Sequence, residues 1–262
     1  MYKIGFLGVG KMGSSILLGI INSGIYKKDD ILIYDPSEIV KEKFKEYRFA
    51  ENEKVLAENV EILIVAVKPQ IFNDLKKYEY SLQNTVIVSI VAGKTIKDLE
   101  SVFGNQLFIR VMPNTPALIG YGATAISKDP AVPDCVFNKV KSIFETVGKV
   151  KEIDDNLMNE IIPTNGSMPA YLYYFAKSFI ENAVKHGIDY ETAKILASDA
   201  IIGSAKMIIE TDKSIDELIK DVCSPKGATL EGLKVLEDNN MNKIIDEACD
   251  ACIQRAYELS KL

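Results

Sequence analysis

The chain is poor in the residues that build metal centres and disulfide scaffolds, with one histidine and four cysteines in 262 residues. Four cysteines in a chain this long do not make a disulfide framework. Cys249 and Cys252 match Cys-x-x-Cys, but no second pair lies at metal-ligand spacing, and an apolar stripe through Cys252 assigns them to packing. No metal is expected. His186 follows a helical run and precedes Gly187, which suits a helix C-terminus better than catalysis. Long basic runs are also missing. With 31 basic against 37 acidic side chains and a net charge of -6, nothing marks a nucleic-acid footprint. No apolar run has the length to span a bilayer, and residues 1–7 are too short an apolar stretch for a signal peptide. A cytoplasmic location is expected, with no membrane partner.

What is present is ordinary for a globular protein: 47% hydrophobic and 26% charged residues, in a length that allows one large domain or two moderate ones. The first half alternates strand-like and helical patterns. Residues 4–7, 31–34, 62–67, 85–91 and 107–112 are apolar runs, and 62–67 is continuous, as in a strand covered on both faces. Met12, Ile16 and Ile20 recur at helical spacing, and 38–47 reads as a charged surface helix. This rhythm predicts an α/β domain, a Rossmann-like, doubly wound parallel sheet wrapped by helices, over residues 1–152. Glycine and proline then become sparse, and helical periodicity predicts an all-α domain over 153–262. An aromatic-rich helix spans 170–185. A second, over 191–209, is rich in small residues and fits either the centre of a bundle or an interface. No repeat, low-complexity tract or flexible linker separates the halves.

Gly8, Gly10 and Gly13 fit G-x-G-x-x-G. Context strengthens the pattern, because it follows a strand, opens a helix, and precedes a second strand that ends in an acid. Gly8 permits the tight turn, Gly10 lets a pyrophosphate approach the backbone, and Gly13 allows close helix–strand packing. The turn Leu7-Gly8-Val9-Gly10-Lys11-Met12-Gly13 is therefore predicted to bind a dinucleotide on the helix N-terminus, a tight turn without ligand being the alternative. Asp35 ends the second strand, where a carboxylate meets the adenine ribose and repels a 2′-phosphate. That leans toward NADH over NADPH, although Asp35-Pro36-Ser37 also reads as a helix-starting turn. Further candidates follow at later strand ends. Ala66, Val67, Lys68 and Pro69 close one, with Lys68 facing the cofactor or solvent. Ala92 and Gly93 close the next, and Asn114 lies between Pro113 and Pro116.

Three segments together with the Gly-rich turn carry a resemblance over nearly the whole chain. They are Ala66-Val67-Lys68-Pro69, Arg110-Val111-Met112-Pro113-Asn114-Thr115-Pro116-Ala117, and Cys223-Ser224-Pro225-Lys226-Gly227-Ala228-Thr229. This set resembles the pyrroline-5-carboxylate reductases. The resemblance implies reduction of 1-pyrroline-5-carboxylate to L-proline with NADPH or NADH, and a helical second domain that forms homodimers or larger homo-oligomers. It sets Ala228 and Thr229 against the small-molecule substrate, with Thr229 orienting the imine nitrogen, and adds Asn114, Gly166 and Ser167 to the substrate set. It also implies a carboxylate near the product amine, at Asp155 or Asp212. Asn165, Met168 and Lys226 stand where the family usually has smaller residues. A reductase of a different cyclic imine, or a non-catalytic dinucleotide sensor, is the competing reading; Pro225, Gly227 and Thr229 argue against the sensor.

Overall fold

The computed structural model describes residues 1–260. It divides into two compact units, one formed by Met1–Pro169 together with the segment from Cys252, the other by Ala170–Ala251.

In the first unit, β1 (Tyr2–Leu7), α1 (Lys11–Ser23), β2 (Ile31–Tyr34), α2 (Glu38–Lys43), β3 (Arg48–Phe49), α3 (Glu53–Glu58) and β4 (Val60–Val65) are followed by a 3-10 segment, Pro69–Lys77. Then come β5 (Val86–Ser89), α4 (Ile96–Phe103), β6 (Leu107–Met112), β7 (Gly122–Lys128), α5 (Asp134–Glu145) and β8 (Gly148–Glu152). The eight strands form one sheet in the order β3-β2-β1-β4-β5-β6-β7-β8. β1 pairs in parallel with both β2 and β4, so the chain leaves the sheet centre in two directions there. In doubly wound sheets that reversal opens a crevice beyond the carboxyl ends of the strands.

The apolar runs are continuous because both faces are covered. Ile62 and Ile64 join the cluster under α1 and α5, with Ile16, Leu17, Phe137 and Phe144. Leu63 and Val65 join the opposite cluster, with Leu56, Phe72 and Leu99. A period of 2 thus sorts alternate residues of β4 between two buried layers.

The sheet departs from an all-parallel one at its far end. β7 runs antiparallel to β6, and β8 is parallel to β7. The link from Pro113 to Tyr121 is a short 3-10 turn ending at Gly120. It is too short for the crossover that a parallel return requires, so the chain reverses.

The division also differs from the expected boundary near residue 152. After β8 the chain stays with the sheet: Met158 and Ile162 are buried with Met112 and Ala125, and Ala256 from the final helix completes that cluster. Helical content alone does not mark this, because residues 155–167 pack as part of the first unit's core.

The second unit is helical, with α6 (Met168–Lys185), α7 (Tyr190–Glu210), α8 (Ile215–Val222), α9 (Ala228–Asp238) and α10 (Met241–Ser260), whose last turns belong to the first unit. α6 stops at His186-Gly187, where Gly187 takes a φ of 91° and the Gly187 and Ile188 N–H groups donate back to the carbonyls of Val184 and Ala183. In the single chain only Ala193 of α7 is buried. Ile195, Leu196, Ile202, Met207 and Ile209 are exposed, so α7 is not the centre of a bundle within one chain. Among the described residues, no helix is long and apolar enough to cross a membrane.

Candidate active site

The Gly-rich turn sits at the carboxyl end of β1, beside that of β4. Gly8 has a φ of +94°, which a side chain would strain, and its N–H donates to the Tyr34 carbonyl at 2.8 Å. A Cβ on Gly13 would lie 2.5 Å from the Gly8 carbonyl oxygen, so only glycine lets α1 start this close to the strand. Gly10 caps α1 with extended backbone, and a Cβ there would meet nothing within 4 Å. The space in front of Gly10 is therefore open to a ligand. The first N–H groups of α1 point toward such space, and no acid occupies the helix's first turn. This turn fits a pyrophosphate.

Asp35 is 9% exposed, and both its oxygens are engaged. Oδ2 accepts the Val9 N–H at 2.8 Å, and Oδ1 accepts the Ser37 N–H at 2.9 Å. The carboxylate thus ties the Gly-rich turn to the end of β2, and its remaining lone pairs can accept from a ribose hydroxyl. Ala66 donates its N–H to the Leu7 carbonyl at 2.8 Å, which carries β4's end alongside the turn. Val67 is half-buried, Lys68 is exposed, and Pro69 opens the 3-10 segment. The next strand end is a turn in which the Lys94 N–H donates to the Val91 carbonyl, with Gly93 at a φ of 77°. The residues expected to hold the cofactor are thereby gathered along one edge of the first unit.

Asn114 lies in the link between β6 and β7. Its Oδ1 accepts the Ala123 N–H at 2.9 Å, and its Nδ2 donates to the Asn165 carbonyl at 3.3 Å. Asn165 in turn donates from Nδ2 to the Met112 carbonyl at 2.6 Å. The two asparagines stitch the β6–β7 link to residue 165. Ser167 lies with its hydroxyl 3.3 Å from the Cys252 thiol, facing the final helix. The bond from Asn114 to Asn165 was not legible in the sequence, because the two residues lie 51 positions apart.

Asp155 is not a free surface acid. It accepts from Arg110 Nη1 at 2.9 Å and from the Ser127 hydroxyl at 2.8 Å, against a guanidinium that is almost wholly buried. Arg110, an isolated charge inside an apolar strand run, was the available signal for this ion pair. Nearby, Glu160 accepts from the Tyr257 hydroxyl, and that bond holds the phenol above its ordinary pKa. Asp212 is exposed in the turn before α8.

In the second unit, Ser224 to Gly227 forms a tight turn into α9. The Gly227 N–H donates to the Ser224 carbonyl at 2.9 Å, and a Cβ on Gly227 would lie 2.4 Å from Ser224 Oγ. Ala228 and Thr229 are the first two residues of α9, so their N–H groups are among those a helix leaves unpaired. Thr229 is exposed, and among the described residues its hydroxyl makes no hydrogen bond. Lys226 sits at a φ of 61°. That left-handed conformation costs a non-glycine residue roughly 1–2 kcal/mol. Lys226→Gly is therefore expected to stabilise the chain by roughly 0.5–1 kcal/mol, read as an increased urea midpoint at unchanged m. A lower midpoint would mean that the lysine side chain supports the turn.

A doubly wound sheet with a glycine cradle at its switch point, joined to a helical unit that carries its own helix N-terminus, defines a nicotinamide-dependent oxidoreductase. Residues 155–259 match the family described as pyrroline-5-carboxylate reductase dimerisation, and residues 3–93 match that described as NADP oxidoreductase coenzyme F420-dependent. The chain is 35% identical over 266 residues to the pyrroline-5-carboxylate reductase of Escherichia coli, covering 99% of this chain and 98% of the relative. The Glycine max enzyme of the same name is 31% identical, covering 99% and 96%. A Plasmodium falciparum pyrroline carboxylate reductase with NADP bound superposes at a TM-score of 0.89 with 32% identity, covering 99% of this chain and 98% of that one. The chain belongs to the pyrroline-5-carboxylate reductase family.

Proposed function

We propose that this chain reduces 1-pyrroline-5-carboxylate to L-proline, with NADH preferred over NADPH. The observation that carries the reading is the pair of preformed anion sites: the Gly8–Gly13 cradle at α1 for a pyrophosphate, and the Ser224–Thr229 turn at α9 for a carboxylate. In this reading the α1 N–H groups hold the pyrophosphate, Asp35 the adenine ribose, and Ala66 to Pro69 with Ala92 and Gly93 the nicotinamide end. When bound, the reduced nicotinamide supplies a hydride to the imine carbon. The α9 N–H groups at Ala228 and Thr229 hold the substrate carboxylate, and the Thr229 hydroxyl orients the ring nitrogen. An iminium substrate carries its proton on nitrogen already. The C=N π pair then returns to that nitrogen as the carbon is reduced, and no side chain need donate a proton in that step. Asn114, Gly166 and Ser167 are further substrate-binding residues in this reading.

The chain works as a homodimer or larger homo-oligomer through its helical unit. Tyr173, Tyr174 and Ile209 are 65%, 73% and 80% exposed in the single chain, more large apolar surface than an isolated protomer keeps in water.

The test is an absorbance assay with either cofactor, using the five-membered imine and its six-membered analogue. NADH oxidation with the five-membered ring is expected. No oxidation of either cofactor with that substrate would end the proposal. In the same assay Asp35→Ser is expected to raise the NADPH-to-NADH ratio of kcat/KM by about tenfold, since a buried carboxylate no longer repels a 2′-phosphate. A ratio that does not move would show that Asp35 serves only to tie down the turn.

A further inference from the structure

The first unit has a cavity that the proposed reaction does not use. It holds about 580 Å³, a size typical of small-molecule sites. Its walls are α1 from Ser14 onward, the 3-10 turn Thr115–Ile119 and the two residues after α5, with Lys43 of α2 also lining it. None of Gly8, Gly10 and Gly13 is among the lining residues, so the cavity is not the cradle.

Its polar groups divide by what they can still offer a ligand. Ser14, Ser23 and Thr146 have already committed their protons. Each hydroxyl donates to the carbonyl three residues back, those of Lys11, Ile20 and Ile143, at 3.0, 2.8 and 2.7 Å. Toward a ligand they present lone pairs alone. Ser23 and Thr146 also stand at the carboxyl ends of α1 and α5, and neither helix has a basic residue in its last turn. Such ends carry a partial negative charge and favour a cation. Two donors have the opposite need. Lys43 is the one charged residue on the lining, and among the described residues it forms no ion pair. Ser15 is 6% exposed, and its hydroxyl has no hydrogen-bond partner. One staggered step about χ1 turns a serine hydroxyl toward a new acceptor. Between these groups the wall is apolar, with Leu18 and Ile119 on it, 40% and 76% exposed.

We infer that this cavity binds a small apolar α-amino acid as its zwitterion. The ammonium is received by the committed hydroxyls and the two helix carboxyl ends. The carboxylate takes Lys43 and Ser15, and the side chain covers Leu18 and Ile119. A simple carboxylate would leave the acceptors unmatched, and a simple amine would leave Lys43 and Ser15 unmatched. The inference stands apart from the dinucleotide and imine sites proposed above.

The test uses the full chain without cofactor and L-leucine as the probe, beside isocaproate, which lacks the ammonium, and isoamylamine, which lacks the carboxylate. Calorimetric titration is expected to give a Kd of about 1 mM or tighter for L-leucine, and binding at least about tenfold weaker for each analogue. At about ten times its Kd, L-leucine is expected to raise the melting temperature by about 2 °C. Lys43→Met keeps the aliphatic stem and removes the charge. It is expected to weaken L-leucine about tenfold with the melting temperature of the free chain unchanged. Ser15→Ala is expected to weaken L-leucine about threefold and to leave the free chain no less stable, because the hydroxyl it removes has no partner. No binding of L-leucine at about 20 mM would overturn the inference. Equal affinity for L-leucine and either analogue would overturn it as well. So would undiminished binding by Lys43→Met, which would place the amino acid elsewhere on the chain, such as the α9 turn.

Discussion

Gly10→Val is expected to melt within about 1 °C of the native protein and to bind NADH about 100-fold more weakly, a loss of about 2.8 kcal/mol at about 1.4 kcal/mol per decade. The separation of the two effects follows from the geometry. Gly10 has a φ of -67° and a ψ of -160°, which any L-residue adopts, and a Cβ there meets nothing within 4 Å. Adding a side chain therefore leaves the free fold undisturbed. The added methyl groups occupy the space in front of the α1 amides, where a pyrophosphate must come to backbone contact distance. Gly13→Ala is the informative contrast. Its Cβ would stand 2.5 Å from the Gly8 carbonyl oxygen, a backbone atom with nowhere to go, so both melting temperature and affinity should fall. Calorimetric titration and thermal melts on both variants check the pair. If Gly10→Val binds NADH normally, the pyrophosphate does not lie on this turn.

Thr229→Ala is expected to lower kcat about 10- to 100-fold, with the Kd for NADH unchanged. A hydrogen bond to a charged group is worth about 1.5–3 kcal/mol, and each 1.36 kcal/mol is a decade in rate. The hydroxyl is exposed and makes no hydrogen bond among the described residues, so its removal costs the fold little. Alanine also keeps the helix start that presents the α9 amides. Carboxylate binding, and with it the substrate KM, should therefore change less than turnover. Steady-state kinetics beside a cofactor titration read the two apart. Equal losses in turnover and cofactor affinity would show that Thr229 acts on the architecture of its turn and not on the imine nitrogen.

Local chemistry explains which parts of this molecule could be read without coordinates. β2 and β6 begin and end at the expected residues because each is an apolar run closed by a turn residue, Asp35 after one and Pro113 after the other. The run expected over 62–67 is shifted, with β4 at Val60–Val65, because Ala66 and Val67 leave the ladder to form the edge of the cradle. β7 went unread. Its interior, Ala-Thr-Ala-Ile-Ser, has one large apolar residue and so shows no apolar run; Ile126 and Ala125 are nonetheless buried in apolar clusters, and Ser127 donates to Asp155. The site divides the same way. The glycine cradle is a local backbone requirement and is visible as spacing. The engagement of Asn114 by Asn165 and the burial of Arg110 against Asp155 depend on residues distant in sequence, which no window on the chain contains.

The path of α10 bears on how the molecule can be made. Ala256 is 5% exposed and packs with Met112, Met158 and Ile162, so the core of the first unit takes one of its pieces from near the end of the chain. During vectorial synthesis the sheet can form early, but that last cluster stays open until the whole helical unit has been translated. Met112 and Ile162 lack that covering residue for that interval, beside the strand end that carries Asn114. A nascent chain arrested before Cys252 would thus hold a formed cradle above an unfinished floor.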